Sequence, residues 1–422
     1  MIGGFIMKKY FLSLFLCLTL MTGCSATPPN IQKVQKQPVN VDIPQLTTTD
    51  KAQEGYSSFA VELLCQSRKE GKNTLVAPIS VAVALSMTAN GSAGDTLAEF
   101  QTLFGMDLDT LNAYCTKALQ EYSNLGGSTK STFVNSLWYN PALTLKDDFV
   151  AQCQQNYGAE LYQADLQNAA TVQAVNDWVS QATDGLIPKT VDNFSKLSIM
   201  ALVNAIYLQN KFEAPFETPH SDWEMDFTAA DGTISHPKGM YNGMREEWYL
   251  SHTNGSGVLL PYDDGRLGFL LMLPKEGMGL SDYLSVWDEK TIKSLLDNRE
   301  KQMMSLTVPK YEIEWEASLT DILASMNLTK AFDPYTADFT AMGSTTSNNP
   351  IFIGDVIHKT VLKVNEKGTE AAAVTVAEIM ESSAMLPNEL IELRFDRPFI
   401  CGIVDLETEV PLFLGTVEDL KK

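Results

Sequence analysis

Basic side chains are scarce. The 422-residue chain has 31 Lys and Arg against 52 Asp and Glu, a formal net charge of −21. An acidic surface repels phosphate backbones, so nucleic acid is not an expected partner. No long block of like charge occurs, so the acidity is spread over solvated faces. Only four histidines are present, His220, His236, His252 and His358, and none belongs to an HExxH motif. With no GxSxG elbow either, a hydrolase reading has no constellation to rest on. The six cysteines form no CxxC pair and have no histidine at ligand spacing. No metal site and no cofactor is therefore expected. Cys65, Cys115, Cys153 and Cys401 read as free, mostly buried thiols, although a secreted chain leaves a disulfide open. From residue 25 to 422 no apolar run is long enough to span a bilayer.

What is present points to a large globular body behind a processed leader. Hydrophobic residues make up 45% and charged residues 20% of the chain, enough for a sizeable core. Met7-Lys8-Lys9 begins a short basic region, followed by an apolar run over 10–21 that is too short to span comfortably. This pattern is a secretory signal, here assigned to residues 1–23. Its end, Leu20-Met21-Thr22-Gly23-Cys24, resembles the bacterial lipobox. That resemblance implies a lipid on Cys24 and a protein held at the cell surface; a plain secretory signal is the alternative. Residues 24–49 are polar, with Pro28, Pro29, Pro38 and Pro44, and read as a flexible tether.

From residue 50 to 422 helical and strand signals mix. Residues 52–67 have helical spacing. Pro78 ahead of Ile79, Val81, Ala82 and Leu85 opens a second helix. Residues 172–182 form an amphipathic helix stopped by Asp184-Gly185. Strands are predicted over 133–139, 199–208, 268–273, 305–311, 351–364, 399–404 and 410–415. Helices dominate early and strands late, without βαβ alternation. The fold class is α+β with large antiparallel or mixed sheets.

Residues 366–380, Glu366-Lys367-Gly368-Thr369-Glu370-Ala371-Ala372-Ala373-Val374-Thr375-Val376-Ala377-Glu378-Ile379-Met380, are the informative stretch. At period two, one face is Thr369, Ala371, Ala373, Thr375, Ala377 and Ile379. It is uncharged and, up to Ile379, small; the other face carries Glu370 and Glu378. Such a strand could lie inside a sheet with its small face inward. An alanine-rich surface helix competes, but Val374-Thr375-Val376 weakens it. Gly368 supplies a hinge ahead of it.

This stretch resembles the reactive-centre-loop hinge of the serpins, and further motifs agree in order from about residue 50 to 418. They are Asn73-Thr74-Leu75-Val76-Ala77-Pro78-Ile79-Ser80, Val175-Asn176-Asp177-Trp178-Val179, Leu202-Val203-Asn204-Ala205-Ile206-Tyr207-Leu208, Val308-Pro309-Lys310-Tyr311, Arg397-Pro398-Phe399 and Pro411-Leu412-Phe413-Leu414-Gly415. The resemblance implies a serpin fold of about nine helices and three β-sheets, with an exposed loop. It also implies a monomeric suicide inhibitor of serine proteases rather than an enzyme. The loop is cleaved as substrate, an acyl-enzyme forms, and the freed hinge inserts into the main sheet. The hinge set is then Glu366, Gly368, Thr369, Glu370, Ala371, Ala372, Ala373 and Thr375. Ser80, Asn204 and His358 fall in the shutter, where strands part. The family commonly has serine where Ala77 stands and tryptophan where Phe212 stands.

Counting sixteen residues on from Glu366 places the scissile bond at Ser382–Ser383, with Met380, Glu381 and Met385 as alternatives. No Lys or Arg occurs between 369 and 393. Trypsin-like enzymes need a basic side chain there, so the expected targets are elastase-like, followed by chymotrypsin- or subtilisin-like enzymes. Residues 107–124 contain one lysine, Lys117, so polyanion activation is not expected. A non-inhibitory serpin acting as a binding or chaperone-like protein is the alternative function.

Overall fold

The computed structural model describes residues 30–36, 49–194, 196, 198–216, 223–347, 349–369 and 390–421. The signal 1–23, Cys24 and most of the stretch read as a tether lie outside these residues. So do Glu370, Ala371, Ala372, Ala373, Thr375, Met380, Glu381, Ser382, Ser383 and Met385.

Nine α-helices occur among the described residues: α1 Thr49–Ser67, α2 Pro78–Ala89, α3 Gly94–Phe104, α4 Leu108–Tyr122, α5 Asp147–Asn156, α6 Ala169–Ala182, α7 Leu280–Leu284, α8 Thr291–Asp297 and α9 Thr320–Ser325. The strands are β1 Gln32–Lys33, β2 Thr74–Val76, β3 Lys130–Tyr139, β4 Leu143–Leu145, β5 Glu160–Gln163, β6 Met200–Lys211, β7 Trp223–Glu224, β8 Phe227–Thr228, β9 Ile234–Ser235, β10 Lys238–Tyr241, β11 Arg245–His252, β12 Gly255–Pro261, β13 Leu267–Pro274, β14 Glu300–Pro309, β15 Tyr311–Ser318, β16 Gly343–Thr345, β17 Ile357–Asn365, β18 Gly368–Thr369, β19 Ile391–Arg394, β20 Phe399–Asp405 and β21 Pro411–Val417.

The α+β class expected from the sequence is the one observed. One sheet has seven strands in the order β1-β5-β3-β6-β18-β17-β15, and a second has ten. Two two-stranded ribbons, β4–β16 and β8–β9, complete the set. The ten-stranded sheet is continuous because β14 serves two neighbours. Its first half pairs with β11 and its second half with β10, while β19 joins its other edge in parallel.

Helix α2 is buried on nearly every side, with eleven buried residues from Pro78 to Ala89. A helix apolar all round belongs inside a core, and this one lies beneath β6 and β21, packed on α4. Helix α6 shows the opposite, one-sided pattern: Thr171, Val175, Asn176 and Val179 are buried. It begins three residues before the periodic apolar pattern, because Asn168 accepts the Ala170 N–H at 2.9 Å. It ends where expected, at Asp184 and Gly185, both with positive φ.

Two strand expectations change. The run 305–311 is broken at Lys310, with β14 ending at Pro309 and β15 starting at Tyr311. The run 351–364 becomes a strand only from Ile357. Ile351 and Ile353 are buried there from an irregular backbone, which bonds Ile353 N–H to the Ala331 carbonyl at 2.9 Å.

Part of the stretch read as a tether is seated on the body. β1 pairs antiparallel with β5, Gln32 opposite Gln163 and Lys33 opposite Tyr162. Backbone pairing to an open sheet edge needs little apolar surface, so polar composition did not reveal it.

Candidate inhibitory site: a hinge at the head of a strand slot

The centre of the seven-stranded sheet is where the geometry is unusual. β6 has twelve residues and β17 nine, yet among the described residues only two-residue β18 joins them. Gly368 pairs with Lys211 and Asn365, and Thr369 with Asn210 and Val364. Past Thr369 the facing edges of β6 and β17 share no described ladder. Two cavities of about 620 Å³ each lie along this slot. Both are lined by Met200, Leu202, Asn204, Asp355 and Ile357; one opens toward α2 and the other toward α6. A third, of about 380 Å³, reaches Thr369 between Leu208 and Leu362.

The hinge residues within the described chain are held firmly. Phe212 N–H donates to the Lys367 carbonyl and Phe216 N–H to the Glu366 carbonyl, both at 2.8 Å. Lys310 Nζ lies 2.7 Å from Glu366 Oε2, both side chains about four-fifths buried. Gly368 has φ +145°, and a Cβ there would fall 2.2 Å from the Asn210 carbonyl oxygen. Only glycine fits so close a backbone approach. Thr369 is 1% exposed, its side chain in the core. Opposite it, Asn210 is fully buried and its Nδ2 donates to Asp264 Oδ2 at 2.5 Å. At the other end of the loop, Ile391–Arg394 runs in the ten-stranded sheet. The segment 370–389 thus connects two different sheets.

Ser80, Asn204 and His358, which the family resemblance assigns to the shutter, come together around the α2-side cavity. Ser80 Oγ donates to Asn204 Oδ1. Asn204 Nδ2 donates to Asn135 Oδ1 at 2.6 Å, and Asn135 Nδ2 to the Tyr157 carbonyl at 2.9 Å. This chain ties α2 through β6 to β3. Sequence reasoning missed Asn135; a buried amide in the apolar run 133–139 was the available signal. His358 takes a separate partner: its Nε2 accepts the Ala77 N–H at 3.0 Å. Where the family commonly has serine, Ala77 thus contributes its backbone. Accepting at Nε2 fixes the neutral Nδ1–H tautomer. Burial pushes the His358 pKa down to about 4. Trp315 packs edge-on against the ring at 6.0 Å.

Phe212, the other departure, stacks on Tyr262 at 5.5 Å and 11° and touches Phe216 and Phe269 at 6.0 Å. An aromatic wedge therefore remains at the head of the slot. Cys65, Cys115, Cys153 and Cys401 are unpaired, the last three buried. Burial pushes the Cys115 and Cys401 thiols up to about 12, so they carry no reactive thiolate. Among the described residues no group of three His, Cys, Asp or Glu could hold a metal ion, and no helix is long and apolar enough to cross a membrane.

Among the described residues β6 and β17 are joined by β18 alone, an arrangement that fits a fold able to accept a further strand. The chain belongs to the serpin family, described as serine protease inhibitors, whose model matches residues 54–420. As a family the serpins are protease inhibitors rather than enzymes. Iripin-8 of Ixodes ricinus is 30% identical over 372 residues, spanning 82% of this chain and 88% of its own. Antithrombin-III of Homo sapiens is 26% identical over 93% of this chain and 88% of its own. Among solved structures, the thermophilic serpin tengpin in its native state superposes with a TM-score of 0.82 at 28% identity, covering 92% of this chain and 96% of that one.

Proposed function

We propose that this serpin traps serine endopeptidases of the elastase type by inserting its cleaved loop into the slot between β6 and β17. The observation that carries this reading is the register of β18. Its two rows set the partners of every later residue in a strand that continues antiparallel. In such a strand Ala371 would fall opposite Leu208 and Leu362, Ala373 opposite Ile206 and Thr360, and Thr375 opposite Asn204 and His358. Small residues then meet the crowded core face, while Thr375 meets the two polar shutter residues. Glu370 would turn outward beside Lys363. Ten further rows, ending with Ile379 beside Met200, fill β6 to its start. At about 3.3 Å per residue the insertion carries an acyl-linked protease roughly 33 Å. Distortion of its active site before the ester hydrolyses makes the trap kinetic.

Target choice rests on the absence of Lys and Arg between 369 and 393 and on Ser382–Ser383 as the scissile bond, with Met380, Glu381 and Met385 close by. Neutral, small or thioether side chains suit shallow apolar pockets. Incubation with elastase should give a complex stable in SDS, whose mass locates the bond. Cleavage without a complex, and without a rise in melting temperature, would instead assign a non-inhibitory role. A secretory signal over 1–23 and a lipid on Cys24 would hold the inhibitor at the outer cell surface. Palmitate labelling of the wild type and not of Cys24→Ser tests that placement.

A further inference from the structure

One carboxylate gathers groups from three separate elements at the outer edge of the seven-stranded sheet. Glu160 of β5 accepts the Lys33 ammonium of β1, the Tyr162 hydroxyl of its own strand at 2.5 Å and the Trp178 indole N–H of α6 at 3.1 Å. Lys33 Nζ also lies 5.6 Å from the Tyr162 ring centre, and Tyr162 stacks on Trp138 of β3 at 4.2 Å and 17°. Val34 N–H donates to the Leu161 carbonyl at 2.8 Å, and Ile31 packs against the apolar cluster under α6. Burial alone would raise the Glu160 pKa, but the hydrogen bonds from Lys33, Tyr162 and Trp178 hold it below the ordinary carboxylate value.

Helix α6 matters because of what lies beneath it. Val179, with Ile187, Val191 and Phe194 just beyond the helix, lines the outer mouth of the slot facing Asn204 and Lys359. The cluster under α6 joins Val203 of β6 to Val361 of β17 across the gap. A strand entering the slot meets this cover, which must lift or slide.

We propose that the N-terminal segment 31–34, acting through Glu160, braces α6 on the sheet and slows loop insertion. Glu160 is a positioning residue: it touches no substrate and acts through Trp178. This inference rests on the insertion reading above. The polar segment ahead of α1 thereby sets how long the inhibitor stays primed.

The test uses the full chain and four variants, Lys33→Glu, Glu160→Gln, Glu160→Ala and Trp178→Phe. The rate read is conversion at 37 °C of intact protein into the form that no longer traps protease and melts higher. Lys33→Glu, Glu160→Ala and Trp178→Phe should each convert at least threefold faster. Glu160→Gln, which keeps an acceptor for the indole, should fall between them and wild type. Melting of the nicked protein, in which insertion is complete, should stay within 2 °C of wild type, whereas a merely structural role would lower it too. Trp178→Phe keeps an aromatic ring on α6 while removing the N–H donor, so it reports even if Glu160→Ala folds poorly. Conversion at the wild-type rate in Lys33→Glu and Trp178→Phe overturns the brace. A wild-type protein that gains no stability on nicking overturns the insertion reading itself, a separate failure.

Discussion

Acid should destabilise the fold through His358. The imidazole is buried, accepts the Ala77 N–H through Nε2, and has a pKa lowered to about 4. In the unfolded chain a histidine titrates near 6.5. Between these values the unfolded state binds more protons, so stability rises with pH across the window. The contribution is fully present above about pH 6.5 and is lost as pH falls toward 4. The loss is about 2 kcal/mol by pH 5 and about 3 kcal/mol by pH 4. Carboxylates titrate in the same range, so the quantity to measure is a difference. Urea unfolding of wild type and of His358→Phe at several pH values from 4 to 7.5 isolates the histidine. The wild type should lose about 2 kcal/mol more than the variant between pH 7.5 and 5. Parallel pH profiles would refute the reasoning, because His358 would then titrate alike in both states.

Further expectations bear on the hinge and slot. Thr369→Arg places a charge at a position 1% exposed, at a cost of several kcal/mol; the loop should be cut as an ordinary substrate, with no SDS-stable complex. Gly368→Ala should destabilise the intact protein by about 1–3 kcal/mol in thermal melts, because its φ is positive and a Cβ meets the Asn210 oxygen. Thr375→Val should leave the intact protein unchanged and cost the nicked form about 1 kcal/mol, the hydroxyl's share beside Asn204 and His358. Glu366→Lys sets two ammonium groups against each other where Lys310 and Glu366 now pair; a loss of about 2 kcal/mol in urea titrations is expected.

The sequence made some features legible because their signals are local. Pro78 announces α2, and Asp184-Gly185 ends α6. The family motifs placed Ser80, Asn204 and His358 together, and they share one cavity. Features that depend on pairing between distant residues leave little local trace and were missed. β14 reads as one strand but divides its length between β11 and β10. Gln32 and Lys33 look like tether until the open edge of β5 is known. Asn135 looks like an interruption in a strand until Asn204 is seen facing it. Ile351 and Ile353 mimic strand residues because burial, rather than ladder pairing, explains their apolar character.

The most direct measurement is a crystal structure of the protein nicked once in its loop. Residues 370–379 should form a full strand between β6 and β17, Ala373 opposite Ile206 and Thr375 between Asn204 and His358. A nicked protein in which no strand beyond Gly368 and Thr369 lies between β6 and β17 would contradict the account.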